Sequence, residues 1–330
     1  MKKTVLIAID EFAKASDYPI RLLKEYGFHL VWNDTGKPLH YVESSSLYEK
    51  VDYVIAGLEG YPSVFFERFP NVNAISRIGV GTDAINIKAA TNQNVKIFIT
   101  SDKPSVAVSE LCISNMIALL RRTYEMSNDL KQSIWNPIQG RDLRSCTVGI
   151  VGMGSIGKEV IKRLGPFGSK VIAYSRTWDE RFARDNDVER KSIEDVFRES
   201  DVITVHLPLT PETKGIVSKE LISKITKGSV LLNTSRAGVI DNAALAEAVT
   251  ANRLAGVAID VFDEERDPHP YGNLDRVILT PHIGSHTLET RKDMEEMAVK
   301  NLIVFDSLSK AHDPTEIGEI LSYIDNHSVN

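Results

Sequence analysis

The stretch Cys146–Gly157, CTVGIVGMGSIG, limits what this chain can fold into more than any other. A short apolar run, 147–151, passes directly into Gly152-Met153-Gly154-Ser155-Ile156-Gly157, and residues 158–164 continue in a helical pattern. Strand, glycine turn and helix, in that order, form the context in which GxGxxG points to a dinucleotide. Gly152 permits the tight turn, Gly154 lets a pyrophosphate approach the backbone, and Gly157 lets the helix close on the strand. Ser155 and Ile156 open the helix, where unpaired N–H groups and the positive end of the helix dipole favour phosphate. The alternative is a doubly wound fold whose glycine turn holds no ligand.

A chain of 330 residues has room for about two domains. Its net charge of -6, with no basic run, argues against a nucleic-acid partner. The apolar run near the N-terminus, Val5 to Ile9, is too short for a membrane span or a signal sequence and reads as a strand. Cys112 and Cys146 lie in apolar surroundings, with neither a CxxC pair nor metal-ligand spacing. Buried free thiols in a cytoplasmic, membrane-free, metal-free protein are the expectation.

Strand patterns at 4–9, 28–32, 52–56, 72–76 and 95–99, separated mostly by helical ones, predict a first parallel α/β unit. A long apolar helix is expected over 106–124, with Ser105 as its cap, followed by a looser arm to about residue 145. Trp135 in that arm is a candidate subunit contact. A second unit follows, with strands at 147–151, 171–174, 202–205, 230–233, 254–259 and 277–279. Two terminal helices remain. The division expected is 1–102, 103–286 and 287–330, the last part returning to the first.

Ligands of open α/β sheets bind beyond the carboxyl ends of the strands. In the second unit those ends carry His206-Leu207-Pro208, Asn233-Thr234-Ser235-Arg236, Asp260 to Glu265, and Thr280-Pro281-His282. An arginine, an acid and a histidine thus meet at one sheet edge. They suit hydride transfer to a carbonyl carbon. An imidazolium can protonate the developing oxyanion, a carboxylate can favour and orient that imidazolium, and a guanidinium can hold a substrate carboxylate bidentately. His282, Glu265 and Arg236 are the candidates, with His206 as a competing base.

The segments RIGVGTD (77–83), SVAVSEL (105–111), VGIVGMGSIGKEV (148–160), HLPLTPETKGIV (206–217), LLNTSRAGVID (231–241), LAGVAIDVFDEE (254–265) and ILTPHIGSHT (278–287) resemble the D-isomer-specific 2-hydroxyacid dehydrogenases almost end to end. The resemblance implies a Rossmann-type cofactor domain inserted into a split, flavodoxin-like substrate domain, and a homodimer. It implies Arg236 on the substrate carboxylate, His282 as acid/base and Glu265 as its partner. It places the substrate against Leu58 and the backbone of Val80 and Gly81. It lines the cofactor with Val106, His206, Leu207, Pro208, Thr213, Thr234, Asp260 and Gly284.

Two departures from the family pattern bear on chemistry. Arg266 stands where a proline commonly follows the glutamate. At the end of the second cofactor-domain strand, where NAD-dependent members usually carry an acid, the chain has Ser175 and then Arg176. That pair favours NADP, with NAD as the alternative. The loop at 57–61 holds Glu59 and no cation, so a small unphosphorylated 2-oxo acid is expected, glyoxylate or hydroxypyruvate first. A redox-sensing regulator of the same fold is one competing reading. A phosphite dehydrogenase is another; a formate enzyme is disfavoured because glutamine would then stand at position 265.

Overall fold

A computed structural model of the chain describes residues 2–264, 267–308, 310–311 and 313–330. In chain order it runs β1 (Thr4–Ile7), α1 (Tyr18–Glu25), β2 (His29–Trp32), α2 (Ser45–Tyr48), β3 (Tyr53–Ala56), α3 (Ser63–Arg68), β4 (Ala74–Arg77), α4 (Ile87–Asn92) and β5 (Lys96–Ile99). There follow α5 (Ser105–Arg121), α6 (Thr123–Lys131), β6 (Thr147–Val151), α7 (Ser155–Leu164), β7 (Lys170–Tyr174), α8 (Glu180–Asp185), β8 (Val188–Arg190), α9 (Ile193–Glu199) and β9 (Val202–Val205). The remainder is α10 (Lys219–Ser223), β10 (Val230–Asn233), α11 (Asn242–Thr250), β11 (Gly256–Ile259), β12 (Val277–Leu279), α12 (Leu288–Leu308) and α13 (Pro314–His327). The chain forms two compact units, one of Met1–Pro104 with Thr287–Asn330, the other of Ser105–His286.

The first unit holds a five-stranded parallel sheet in the order β2-β1-β3-β4-β5. β3 and β4 are buried at every position, as expected of strands covered on both faces. One face is closed by α1 and by α12 and α13, whose Met294, Val299, Leu302 and Ile324 pack with Val5, Leu23 and Phe98. The opposite face is an aromatic-rich core around Tyr48, Tyr61, Phe65 and Phe69. Beyond α13, Ser328 bridges antiparallel to Phe98, and the Ile97 amide donates to the Asn330 side chain at 2.9 Å.

The second unit holds seven parallel strands in the order β12-β11-β10-β9-β6-β7-β8, with an apolar core on each face. The order reverses between β6 and β9, which opens a crevice at their carboxyl ends. Helices α8, α9, α10 and α11 begin on side-chain caps from Asp179, Ser192, Ser218 and Asp241. α7 begins on Gly154 and has no side-chain cap.

The long helix expected over 106–124 is interrupted. Arg122 takes a left-handed conformation (φ 51°, ψ 35°) between α5 and α6. The Leu120 carbonyl, which would otherwise serve the next helical turn, accepts the Arg141 amide at 3.0 Å. Gly140 makes that approach feasible, since a Cβ there would lie 2.7 Å from the Leu120 oxygen. The expected loose arm is therefore helical as far as Lys131. Ser105 is the first helical residue rather than a cap. β8, a short edge strand with Glu189 and Arg190 exposed, has no apolar run to announce it.

Candidate active site

Each glycine of the turn after β6 meets a different neighbour. Gly152 has φ 102°, and a Cβ on it would lie 2.7 Å from the His206 carbonyl oxygen. Its amide donates to the Tyr174 carbonyl at 2.8 Å. A Cβ on Gly157 would lie 2.2 Å from the Gly152 carbonyl oxygen, so glycine is what allows α7 to sit against the turn. Gly154 has nothing within 4 Å of the corresponding position. An open glycine at an uncapped N-terminus leaves the first amides of α7, Ser155 and Ile156 among them, without partners inside the helix. A phosphate fits that arrangement sterically and electrostatically.

At the end of β7, the Ser175 hydroxyl accepts the Met153 amide at 3.3 Å, tying the strand end to the glycine turn. Arg176 follows, exposed. The next carboxylate along the chain is Asp179, which caps α8 and pairs with Lys158 at 2.6 Å. That contact holds its carboxyl below the usual range. Asp179 is thus committed to a protein partner.

His206 is buried. Its Nε2 lies 3.0 Å from the Thr204 hydroxyl, and its Nδ1 has no hydrogen-bond partner among the described residues. Burial lowers its pKa to about 4, so the ring is neutral near pH 7. Its place is under the glycine turn, and a buried ring of that kind is a poor competitor for the role of acid. The Thr213 hydroxyl donates to the Pro208 carbonyl at 2.6 Å and folds the 208–213 loop onto itself.

Arg236 is presented by a fully buried asparagine. The Asn233 side-chain oxygen accepts the Ser235 amide (3.0 Å) and hydroxyl (2.8 Å), while its amide nitrogen donates to the Arg236 carbonyl (3.0 Å). The Arg236 guanidinium donates to the Ser235 carbonyl at 2.7 Å. Thr234, behind the loop, lies 3.3 Å from the Cys112 sulfur. Burial pushes that thiol up to about 11, so it stays protonated.

Asp260 does for His282 what Asn233 does for Arg236. Its buried carboxylate accepts the Thr280 hydroxyl (2.5 Å), the Ile283 amide (2.9 Å) and the Gly284 amide (2.9 Å). His282 sits in the loop so held, at φ 53°, with its amide directed to the carbonyls of Asp260 and Thr280. Burial raises the Asp260 carboxyl, against these hydrogen bonds and the nearby His282 charge. Asp260, expected to face the cofactor, thus also holds the 280–284 loop. Gly284 packs against both Asp260 and Val108, and Val106 is exposed on the first turn of α5. Glu265, the expected partner of His282, lies outside the described residues, as does Arg266.

In the first unit, Leu58 and Val80 are exposed in the turns after β3 and β4. Gly79 exchanges hydrogen bonds with Thr100, its amide to the hydroxyl at 2.8 Å and its carbonyl to the amide at 3.0 Å. The amides of Val80 and Gly81 make no hydrogen bond among the described residues. Glu59 is buried, and its carboxylate accepts the Gly57 amide at 2.6 Å. It therefore does not project from the loop as a charge that would repel a ligand. The sequence gives no signal for Asn233 or Asp260 as loop organisers beyond the habit of Asx side chains to bond nearby backbone. No cluster among the described residues could hold a metal, and none of their helices is long and apolar enough to cross a membrane.

Residues 113–284 match the family model for the D-isomer specific 2-hydroxyacid dehydrogenase, NAD binding domain. The chain belongs to this dehydrogenase family. It is 36% identical over 244 residues to a glyoxylate reductase of Thermofilum pendens, covering 71% of this chain and 72% of that one. It is 35% identical over 228 residues to a hydroxypyruvate reductase of Thermotoga maritima, covering 67% of this chain and 74% of the relative. A crystal structure of a glyoxylate reductase from Paecilomyes thermophila superposes with a TM-score of 0.82 at 27% identity, covering 93% of this chain and 95% of that one. The two parallel-sheet units, the nucleotide-binding turn and the family membership make this protein an oxidoreductase of the 2-oxo acid and 2-hydroxy acid class.

Proposed function

We propose that the enzyme reduces a small, unphosphorylated 2-oxo acid, glyoxylate or hydroxypyruvate first, with NADPH preferred over NADH. The observation that carries this reading is the pair of locked loops at one sheet edge. Asn233 fixes the backbone that bears Arg236, and Asp260 fixes the backbone that bears His282. Arg236 would hold the substrate carboxylate and His282 would give its proton to the carbonyl oxygen, with Glu265 as its partner. The bound nicotinamide supplies the hydride. The 152–157 turn would hold its pyrophosphate and Ser175 with Arg176 its 2′-phosphate. Val106, His206 to Pro208, Thr213, Thr234, Asp260 and Gly284 would surround the rest.

Residues 1–104 with 287–330 would serve as the substrate domain, offering Leu58 and the free amides of Val80 and Gly81. With Glu59 buried, a phosphorylated substrate is disfavoured by the lack of any cation at 57–61 rather than by repulsion. A homodimer fits the exposed Leu130, Ile134 and Trp135, the last 83% accessible. The cytoplasm suits two buried, unpaired cysteines. A panel of 2-oxo acids assayed against both reduced cofactors tests the reading. The expected result is turnover of glyoxylate or hydroxypyruvate with NADPH. Efficient reduction of 3-phosphohydroxypyruvate, or no turnover of any small 2-oxo acid, would overturn it.

A further inference from the structure

Near the end of β7, two arginines stand apart from the other cations around them. Every other lysine and arginine between residues 155 and 200 has a carboxylate at 3.9 Å or less. Arg176 and Arg190 have no ion pair among the described residues, and both are exposed. The acids beside them are engaged elsewhere. Asp179 pairs with Lys158 at 2.6 Å, and Glu189 with Lys191 at 2.8 Å and with Lys170 at 3.0 Å. Arg176 belongs to the proposed 2′-phosphate site; Arg190 comes to its neighbourhood from another strand.

β8 runs parallel to β7 with Arg190 beside Ala173, and the Lys191 amide donates to the Ala173 carbonyl at 2.9 Å. Paired residues of parallel neighbours lie on one face of the sheet. Here it is the face on which Ala173 packs with Val160 and Ile161 of α7, the helix that begins at the glycine turn. The loop after β7 is tied to that turn and helix at two points. The Ser175 hydroxyl accepts the Met153 amide at 3.3 Å, and Asp179 holds Lys158. Between the ties, Trp178 packs against the same core, and the Arg190 guanidinium lies over its ring, 5.2 Å from the centroid. A guanidinium stacked in this way is held by its face, while its N–H donors, at its edge, stay available to a ligand.

We propose that Arg190, held on Trp178, is a second specificity residue for the 2′-phosphate of NADP, acting beside Arg176. The inference rests on the NADPH preference proposed above. A phosphate monoester carries roughly 1.5–2 negative charges near pH 7, more than one guanidinium balances. Arg190 supplies the second cation from β8. Its stack on Trp178 orders the side chain before the ligand arrives, so less freedom is lost on capture.

Calorimetric titration of the full chain with adenosine 2′,5′-bisphosphate and with AMP tests the inference, since the two ligands differ only in the 2′-phosphate. Arg190→Gln should weaken binding of the bisphosphate about threefold to tenfold and leave the Kd for AMP within about twofold. Trp178→Leu keeps the cation and removes its support, and should weaken the bisphosphate about twofold to fivefold. The double variant should be no worse than Arg190→Gln alone, because the support matters only through the arginine. Added NaCl should narrow the gap between wild type and Arg190→Gln. Equal losses for both ligands would make Arg190 a structural residue, and no loss for either would place it outside the site. Either result overturns the inference, while a wild-type preference for the bisphosphate leaves the NADPH reading standing. A wild-type protein that binds the bisphosphate no better than AMP would overturn the NADPH reading, and the inference with it.

Discussion

At His282 the expected loss is one of rate. General acid catalysis is typically worth about a hundredfold to ten-thousandfold, so His282→Ala should lower kcat by that order with a small change in KM. Steady-state kinetics checks it, and near wild-type turnover would remove His282 from the role. Arg176→Ala should erase most of the preference for NADPH, and Ser175→Asp should reverse it, as read from kcat/KM with the two cofactors. A hydrogen bond to a charged group is worth roughly 1.5–3 kcal/mol, or about tenfold to a hundredfold in affinity. His206 bears on stability. Its pKa is about 4 in the fold and near 6.5 when exposed, so the unfolded chain takes up the proton first. Its contribution is complete above about pH 6.5 and is lost as pH falls toward 4, up to roughly 3 kcal/mol. Urea unfolding at pH 7 and pH 5 should show the loss, and a His206→Asn variant should show less of it.

Among the elements, the arm after α5 makes the clearest demand. Leu130, Ile134 and Trp135 leave apolar surface exposed on the single chain. Trp135→Glu should convert a dimer to a monomer in sedimentation velocity without altering the melting of the 147–279 sheet. A wild-type protein that sediments as a monomer would sink the dimer. This element also marks where the sequence could be read and where it could not. The buried strands β3, β6, β9 and β10 were legible because runs of apolar residues between glycine and polar turns leave little choice. The break at Arg122 was not, since no proline or glycine marks it; its cause is Arg141, about twenty residues on, taking the Leu120 carbonyl. The site divides in the same way. Arg236 and His282 stood out because they follow strand ends. The hydrogen bonds that aim them, from Asn233 and from Asp260 to residues 280–284, depend on loops that meet only in the folded sheet.

For the whole molecule, the two units differ in how they are assembled from the chain. Residues 105–286 supply both cores of the seven-stranded sheet. Expressed alone, they should fold cooperatively and bind NADPH, as calorimetry with and without the cofactor would show. Residues 1–104 alone should stay insoluble and become soluble when 287–330 is co-expressed, because α12 and α13 complete one face of their sheet. Soluble, cooperatively melting 1–104 would count against this. The split has a consequence in time as well as in space. On the ribosome, the face bearing Val5, Leu23 and Phe98 emerges before the inserted unit and waits for its cover until α12 and α13 are made. At translation rates of about 5–20 residues per second that wait is roughly 10–45 s, while the inserted unit can fold as soon as it emerges. The unit begun before the inserted one is thus finished after it, and has the greater need of a chaperone.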